Sequence, residues 1–188
     1  MIKIGITGSL ASGKTTASKI LSNKRGPLFS ADKAVKELYQ SKHFKSLIGK
    51  RFKIQDNNQI KRSLKKLILE NKENINKLEK IIHPLVRKKM RNFTSQNRNK
   101  KLLFYEIPLL IESKLMKHFN VIIFIKAKKQ LRLKRFKSKN GKKKLFNLLN
   151  KKQMIDAKKI KFCDHVVVNE KNFSILKKNL LDIIKKYE

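Results

Sequence analysis

The sequence is poor in cysteine, proline, glycine and acidic residues, and it has no tryptophan. Its one cysteine, Cys163, excludes an internal disulfide bond. No apolar run approaches the ~20 residues that a membrane-spanning helix needs, and the apolar start at residues 1–6 is too short for a secretory signal. We therefore expect a soluble, cytoplasmic protein that does not associate with membranes.

Acidic residues are few, because 13 aspartates and glutamates stand against 49 lysines and arginines, which gives a formal net charge of +36. Such an excess favours a polyanionic partner, since clustered cations release counterions from phosphates. The basic residues are mostly lysines spread along the whole chain, which is also typical of compositional bias. Hydrophobic residues make up 40% of the chain and recur periodically, which argues against disorder. At 188 residues the chain is long enough for one domain with its own core.

Short apolar or β-branched runs predict five strands, and helix-compatible stretches separate them. The strands are expected at residues 2–6, 28–30, 102–107, 121–125 and 166–168. Strands that alternate with helices predict a parallel sheet covered by helices on both faces. The expected fold is therefore a three-layer α/β/α arrangement around a five-stranded parallel sheet.

Helical periodicity dominates the segments between the strands. Residues 41–100 have few strand signals, and one helix face is predicted from Ile75, Leu78, Ile82, Leu85 and Val86. Residues 128–161 are strongly basic and indicate a helical pair around Asn140-Gly141. A closing amphipathic helix is predicted from Phe173, Leu176, Leu180, Ile184 and Tyr187.

One segment between the first strand and the first helix carries a nucleotide-binding pattern. Residues 8–15 match G-x-x-x-x-G-K-[ST], the P-loop, in the strand and helix context that this motif requires. Backbone N–H groups of the loop cradle phosphates, the lysine bridges the β- and γ-oxygens, and the threonine hydroxyl reaches Mg²⁺. The predicted site for ATP or GTP comprises Gly8, Ala11, Ser12, Gly13, Lys14, Thr15 and Thr16, with Thr15 as the metal ligand.

Asp32 follows the second predicted strand by two residues. The carboxyl ends of neighbouring parallel strands line the same crevice, so we expect Asp32 to lie opposite the P-loop. There it can accept a proton from an attacking hydroxyl group. The alternative is that Asp32 only caps the helix that follows, and the two roles are compatible.

Several motifs occur together in one order along nearly the whole chain. They are Thr7 to Thr15, Ser30-Ala31-Asp32, His83-Pro84-Leu85-Val86, Pro108-Leu109-Leu110-Ile111-Glu112, Gln153, and Asp164-His165-Val166-Val167-Val168-Asn169. In this order and content the chain resembles the dephospho-coenzyme A kinases, a family of P-loop kinases. H-P-x-V followed by P-L-L-x-E is much more specific to this family than the P-loop, which many enzymes share.

The resemblance implies transfer of the γ-phosphoryl group of ATP to the ribose 3′-hydroxyl of dephospho-coenzyme A, with Mg²⁺ as cofactor. It implies Asp32 and Lys14 as catalytic residues. The same resemblance implies that the acceptor is bound by Thr7, Asp32, His83, Pro84, Arg87, Pro108, Leu109, Leu110 and Glu112. A histidine on a helix is often structural, and a glutamate such as Glu112 can instead complement a helix N-terminus. Glu106 is a candidate to assist Mg²⁺ through water.

The resemblance also implies a basic lid that closes on the phosphates. With Asn140-Gly141 as the lid turn, Arg135 and Lys139 fall at the ATP-contacting positions, and an alternative register uses Arg132 or Arg135. Lysine at position 139 replaces the bidentate arginine of relatives with a point charge. Other departures are Ser30 in place of an aspartate, and Ser9 and Ala11 where relatives commonly carry glycine.

The expected organisation is a single kinase domain with a core at residues 1–31, 101–127 and 163–188, a helical acceptor-binding region at 32–100 and a lid at 128–162. Two alternatives remain at this point. One is a P-loop kinase of another nucleoside or nucleotide, and the other is a nucleic-acid-binding protein, which only the charge favours. The expected partners are ATP and dephospho-coenzyme A, without specific nucleic acid, in a monomer or a small homo-oligomer.

Overall fold

In the computed structural model, which describes residues 1–56, 59–71 and 73–188, the chain divides into two compact units. The first unit combines residues 1–30 with residues 96–188, and the second consists of residues 31–95. The region 128–162, expected to form the lid, belongs to the first unit. Three residues of the region expected at 32–100, at positions 57, 58 and 72, lie outside the described residues.

The first unit contains a five-stranded sheet in which every paired strand is parallel. The strands are β1 (Ile2–Gly8), β2 (Leu28–Ser30), β3 (Leu102–Glu106), β4 (Val121–Lys126) and β5 (His165–Val168), in the order β2-β3-β1-β4-β5. This arrangement confirms the predicted parallel α/β sheet. The central strands are buried on both faces, as their near-continuous apolar runs require.

Helices connect the strands and make up the second unit. They are α1 (Lys14–Ser22), α2 (Ala31–Leu38), α3 (Lys42–Phe52), α4 (Ile60–Glu70), α5 (Glu73–Gln96), α6 (Lys129–Lys137), α7 (Lys143–Lys152), α8 (Asp156–Ile160) and α9 (Phe173–Ile184), with a short 3₁₀ helix at Met116–His118. Within the described residues, none of these helices is both long and apolar enough to cross a membrane.

The main core lies where α1 and α9 cover the sheet. Its buried residues include Ile4, Ile6, Leu21, Phe104, Ile123, Leu180 and Ile184. Each fully buried side chain of this size contributes roughly 1.5–3 kcal/mol relative to an exposed one. Phe173 was expected on the same face as Leu180, but it is 58% exposed, because it is the first residue of α9 and stands beyond the covered stripe.

The second unit has a core of its own, built by α2 to α5. Phe44, Ile48 and Leu64 are buried there together with Leu78 of α5. Of the stripe predicted on α5, Ile82, Leu85 and Val86 pack against this cluster as partly buried residues. The side chain of Ser41 accepts a hydrogen bond from the backbone N–H of Phe44 and caps α3.

Candidate active site

The P-loop connects the end of β1 to the start of α1, and the backbone at its two glycines disfavours any other residue. Gly8 has φ 150° and Gly13 has φ 99°, which is the region that favours glycine. A Cβ atom at Gly8 would strike the carbonyl oxygen of Ile125, and one at Gly13 would strike the side chain of Asn169. At Gly8 the backbone therefore lies too close to a neighbouring carbonyl for a side chain, and at Gly13 the positive φ disfavours one. The loop leads directly into the N-terminus of α1.

The two loop positions that depart from the family pattern are accommodated in different ways. Ala11 has φ 59°, so it keeps the left-handed conformation that glycine adopts more easily. Ser9 is buried, and its hydroxyl group donates a hydrogen bond to a carboxylate oxygen of Asp156 at the start of α8. Asp156 was not expected to take part in the site, since no sequence pattern relates it to the loop.

Lys14 and Thr15 begin α1 beside the loop. Lys14 is buried, and its ammonium group donates a hydrogen bond to the backbone oxygen of Ser9 at 2.9 Å. The Thr15 hydroxyl group donates to Oε1 of Glu106 at 2.5 Å, and the Ser18 hydroxyl group lies 3.4 Å from Oε2 of the same carboxylate. Glu106, at the carboxyl end of β3, is thus a buried acid whose two oxygens both face α1.

The Thr15 and Glu106 pair suits a magnesium ion bound with a nucleotide. Mg²⁺ prefers oxygen ligands and keeps several waters, so it is held by one or two protein groups together with substrate phosphates. Among the described residues there is no group of three or more His, Cys, Asp or Glu side chains that could hold a metal by themselves. The Thr15 hydroxyl group and the Glu106 carboxylate are two oxygen donors at this end of α1.

The loop after β3 is joined to β1 by a hydrogen bond. The Thr7 hydroxyl group donates to the backbone oxygen of Pro108 at 3.2 Å. Pro108 and Leu109 are partly buried, whereas Leu110 is fully buried and close to Gly5. Three residues were expected to contact the acceptor here, and one of them, Leu110, has no exposed surface. Its side chain packs next to Gly5 of β1 instead.

Glu112 lies in a series of turns, so the alternative that it complements a helix N-terminus is wrong. No helix begins at this position in the described chain. Instead, Oε1 of Glu112 lies 2.6 Å from the ammonium nitrogen of Lys159, which is completely buried. Lys159 gave no signal in the sequence, because it stands beside Lys158 in a segment rich in lysine.

Arg132, on α6, is attached to the outer side of the P-loop. Its Nη1 donates to the backbone oxygen of Leu10 at 3.3 Å and to Oδ1 of Asn150 at 2.7 Å, while Nε donates to the backbone oxygen of Ala127 at 3.1 Å. Burial lowers the pKa of Arg132, and the carboxylate of Asp156 opposes that shift. The guanidinium is therefore a buried cation that holds backbone oxygens of the loop region.

Arg135, one helical turn further, reaches the other end of the P-loop. Its guanidinium donates to the backbone oxygens of Ser12 at 3.4 Å and Asn169 at 3.0 Å. The Asn169 side chain in turn donates to the backbone oxygen of Ser12 at 2.8 Å. Lys139 is exposed in the turn that follows α6. Arg132 and Arg135, the two arginines considered for the lid, thus both contact the P-loop. Lys139, the third candidate, is at the surface.

The remaining predicted residues belong to the second unit. Asp32 is exposed and is the second residue of α2, which begins at Ala31, so the expectation that Asp32 is the N-cap is wrong. There its negative charge still complements the helix dipole. His83 is half-buried in the middle of α5, with Pro84 and Arg87 exposed beside it. The structure therefore distributes the predicted site residues over both units.

Comparison with known proteins identifies a family. A family model described as dephospho-CoA kinase matches residues 2–174. A dephospho-CoA kinase from Bartonella quintana is 35% identical in an alignment of 186 residues that covers 96% of this chain and 95% of the relative. A dephospho-CoA kinase from Rickettsia conorii is 33% identical and aligns over 100% of this chain and 98% of the relative.

Solved structures agree on the fold. A crystal structure of a Thermus thermophilus protein has a TM-score of 0.84 at 24% identity and covers 100% of this chain and 98% of its own. A dephospho-CoA kinase from Campylobacter jejuni has a TM-score of 0.68 at 24% identity, with coverages of 98% and 96%. A shikimate kinase from Bacteroides thetaiotaomicron has a TM-score of 0.54 at 13% identity, with 98% and 97% covered. This is the fold of P-loop kinases.

Proposed function

Because this chain belongs to the dephospho-CoA kinase family, we propose that it transfers the γ-phosphoryl group of ATP to the ribose 3′-hydroxyl of dephospho-coenzyme A. The products are coenzyme A and ADP, and the reaction is the last step of coenzyme A biosynthesis. The chain is accordingly an ATP-dependent kinase. The structural observation that carries the proposal is a complete P-loop at the start of α1, with Thr15 bonded to the buried carboxylate of Glu106.

Phosphoryl transfer requires mainly positioning and electrostatic stabilisation. In this proposal the loop N–H groups between Gly8 and Thr15 hold the phosphates at the positive end of α1. The ammonium group of Lys14 offsets negative charge on the transferred group. The loop is well supported for that task, since Arg132, Arg135 and Asn169 hold its backbone oxygens.

We propose Mg²⁺ as the divalent metal that accompanies ATP. The Thr15 hydroxyl group would bind it, and Glu106 would hold one of its waters. When bound, the ion neutralises charge on the phosphate oxygens. Both protein groups are already in contact at 2.5 Å, and α1 and β3 fix their positions.

We propose the second unit and the Pro108 loop as the acceptor-binding part. His83, Pro84 and Arg87 share a stretch of α5, and Pro108 and Leu109 are partly exposed in the turns after β3. Asp32 is the proposed base for the 3′-hydroxyl proton. Of the lid cations, Arg132 is buried, whereas Arg135 is partly exposed and Lys139 is exposed, so Arg135 and Lys139 are the proposed phosphate contacts. The proposed location is the cytoplasm, and the proposed assembly is a monomer or a small homo-oligomer without specific nucleic acid.

The direct test measures ADP formation by the purified protein with ATP and Mg²⁺, with dephospho-coenzyme A or adenosine as acceptor. We expect ADP to form in proportion to added dephospho-coenzyme A, and coenzyme A to accumulate in equal amount. Preference for adenosine would instead favour the alternative of a kinase for another nucleoside. Absence of acceptor-dependent ADP would refute the assignment.

Asp32→Asn tests the proposed base. We expect ATP binding to be retained and phosphoryl transfer to fall by at least ~10²-fold, because the amide cannot accept the hydroxyl proton. Asp182→Asn is the matched control, since Asp182 is an exposed aspartate on α9 far along the chain. The measurements are single-turnover rates and nucleotide binding for both variants. Near-normal turnover of Asp32→Asn would remove Asp32 from the mechanism.

A further inference from the structure

A completely buried lysine stands near the nucleotide site without any role in the proposed chemistry. Lys159 lies on α8, and its ammonium nitrogen lies 2.6 Å from Oε1 of Glu112. Removing an ammonium group from water is costly, and only a close opposite charge compensates for it. No described residue forms a directional hydrogen bond with the ammonium group, so the contact with Glu112 acts through charge. A surface lysine in this segment would require no such partner.

Glu112 uses the same oxygen to hold the backbone next to α8. Its Oε1 accepts a hydrogen bond from the backbone N–H of Met154 at 3.2 Å. Its other oxygen, Oε2, is buried and has no hydrogen-bond partner among the described residues. The carboxylate is therefore positioned by two contacts on a single oxygen, one from α8 and one from the segment that precedes it.

The residues on either side of Met154 reach the apex of the P-loop. Oε1 of Gln153 accepts a hydrogen bond from the backbone N–H of Leu10 at 2.9 Å. The carboxylate of Asp156 accepts a hydrogen bond from the Ser9 hydroxyl group. Met154 lies between Gln153 and Asp156 in the chain, so its backbone hydrogen bond to Glu112 fixes the segment that carries both contacts with the loop.

The turns that contain Glu112 are also hydrogen-bonded to β1. Glu112 belongs to the same turns as Pro108, whose backbone oxygen accepts the hydrogen bond of Thr7 at 3.2 Å. Thr7 is the residue before Gly8, where the P-loop begins. A closed ring of contacts thus runs from Thr7 through the Pro108 turns to Glu112, Lys159 and residues 153–156, and back to the P-loop at Ser9 and Leu10.

We propose that the buried Lys159 and Glu112 pair is a positioning device for the nucleotide site. It holds residues 153–156 in place, and these residues fix the apex of the P-loop in the conformation that receives phosphates. Neither member of the pair touches the reacting atoms in this role. The inference rests on the proposed use of ATP, and it concerns nucleotide affinity rather than the identity of the acceptor.

Lys159→Met tests the pair by removing one charge at nearly constant volume. We expect the dissociation constant for MgADP, measured by titration calorimetry, to rise about tenfold, because coupled neighbours typically interact at this level. The Michaelis constant for ATP should rise with it, while turnover at saturating ATP falls much less. Lys159→Arg should restore most of the affinity. Lys158→Met is the matched control on the exposed side of α8 and should bind MgADP like the unchanged protein.

A double-mutant cycle with Gln153→Ala separates positioning from general destabilisation. If Lys159 acts through residues 153–156, Gln153→Ala should cost much less affinity in the Lys159→Met background than in the unchanged protein. The proposal would be overturned if the losses of MgADP affinity caused by Lys159→Met and Gln153→Ala simply added in the double variant. It would also be overturned if Lys159→Met bound MgADP as tightly as the unchanged protein. Thermal unfolding of each variant shows that the comparison is made on folded protein.

Lys159→Met leaves a buried carboxylate without its partner, so this variant can fail to fold. The double variant Lys159→Met with Glu112→Gln removes both charges and keeps an oxygen for the Met154 N–H. We expect it to fold and to bind MgADP with the same tenfold loss. MgADP affinity equal to that of the unchanged protein would overturn the proposal. Binding of MgADP by a protein that ignores dephospho-coenzyme A would refute the proposed acceptor and leave this inference to be judged by its own variants.

Discussion

Ala11 is the residue of the P-loop whose backbone conformation disagrees most with its side chain. At φ 59° it lies in the left-handed region, where a Cβ atom costs roughly 1–2 kcal/mol relative to glycine. The neighbouring Ser9 departs from glycine too, but its hydroxyl group gains a partner in Asp156. Substitution at two similar positions thus has opposite consequences. Ser9 adds a contact to the loop, while Ala11 adds strain without one.

Ala11→Gly should therefore stabilise the protein by up to about 1 kcal/mol, which is the relief of strain less the added freedom of glycine in the unfolded chain. Urea denaturation compares its free energy of unfolding with that of the unchanged protein. Ala157→Gly is the control, because Ala157 is exposed on α8 and its replacement should destabilise by roughly 0.5–1 kcal/mol. Equal destabilisation by both substitutions would show that Ala11 is not strained.

At the scale of elements, α2 and α5 of the second unit are joined by an ion pair. The ammonium group of Lys89 lies 2.7 Å from Oε2 of Glu37, and its hydrogen bond lowers the pKa of Glu37 from the ordinary 4.5. A carboxyl group whose pKa is lowered on folding stabilises the protein above its unfolded pKa. That contribution is lost as the pH falls through the folded pKa.

Glu37→Gln should reveal this contribution as a difference that depends on pH. Both side chains are substantially exposed, so we expect the variant to lose only about 0.5 kcal/mol at pH 7. The difference should shrink as the pH falls below 4.5 and vanish once Glu37 is protonated in the native state. Urea denaturation across this range measures it. A loss that stays constant down to pH 3 would indicate packing rather than charge.

For the whole molecule, the dominant physical property is the charge of +36. Lys14, Arg132 and Arg135 form hydrogen bonds with the P-loop backbone, and the buried Lys159 pairs with Glu112. The other lysines are mostly exposed on the helices. Such a charge attracts nucleotides at long range and binds polyanions such as nucleic acids without dependence on their sequence.

We expect the protein to bind duplex DNA at low ionic strength without sequence preference. If it contacts six to ten phosphates, the affinity should fall by about 10³- to 10⁵-fold between 50 and 200 mM salt. The Michaelis constant for ATP should change far less, because ATP is held by directed contacts at the P-loop and carries few charges. Fluorescence anisotropy and kinase assays over the same salt series measure both. Sequence-dependent binding that resists salt would support the nucleic-acid alternative.

The sequence by itself determined the features that depend on local order. Alternating strands and helices predicted the parallel sheet, and the spacing of Gly8, Gly13 and Lys14 predicted the P-loop, because each depends on neighbours in the chain. Family resemblance predicted the activity from motifs in one order, and the family match agrees with it. Among the elements, the start of α2 and the burial of the first residue of α9 were predicted wrongly.

Only the tertiary structure decided which residues support the loop. Asp156 contacts the loop directly, and Asn150 is connected to it through Arg132. Lys159 is connected to it only through Glu112 and the segment 153–156. In a chain with so many lysines, composition cannot distinguish a buried lysine from an exposed one. Burial and partnership arise when distant segments pack together, because only then does the cost of removing a charge from water select one position for an ion pair.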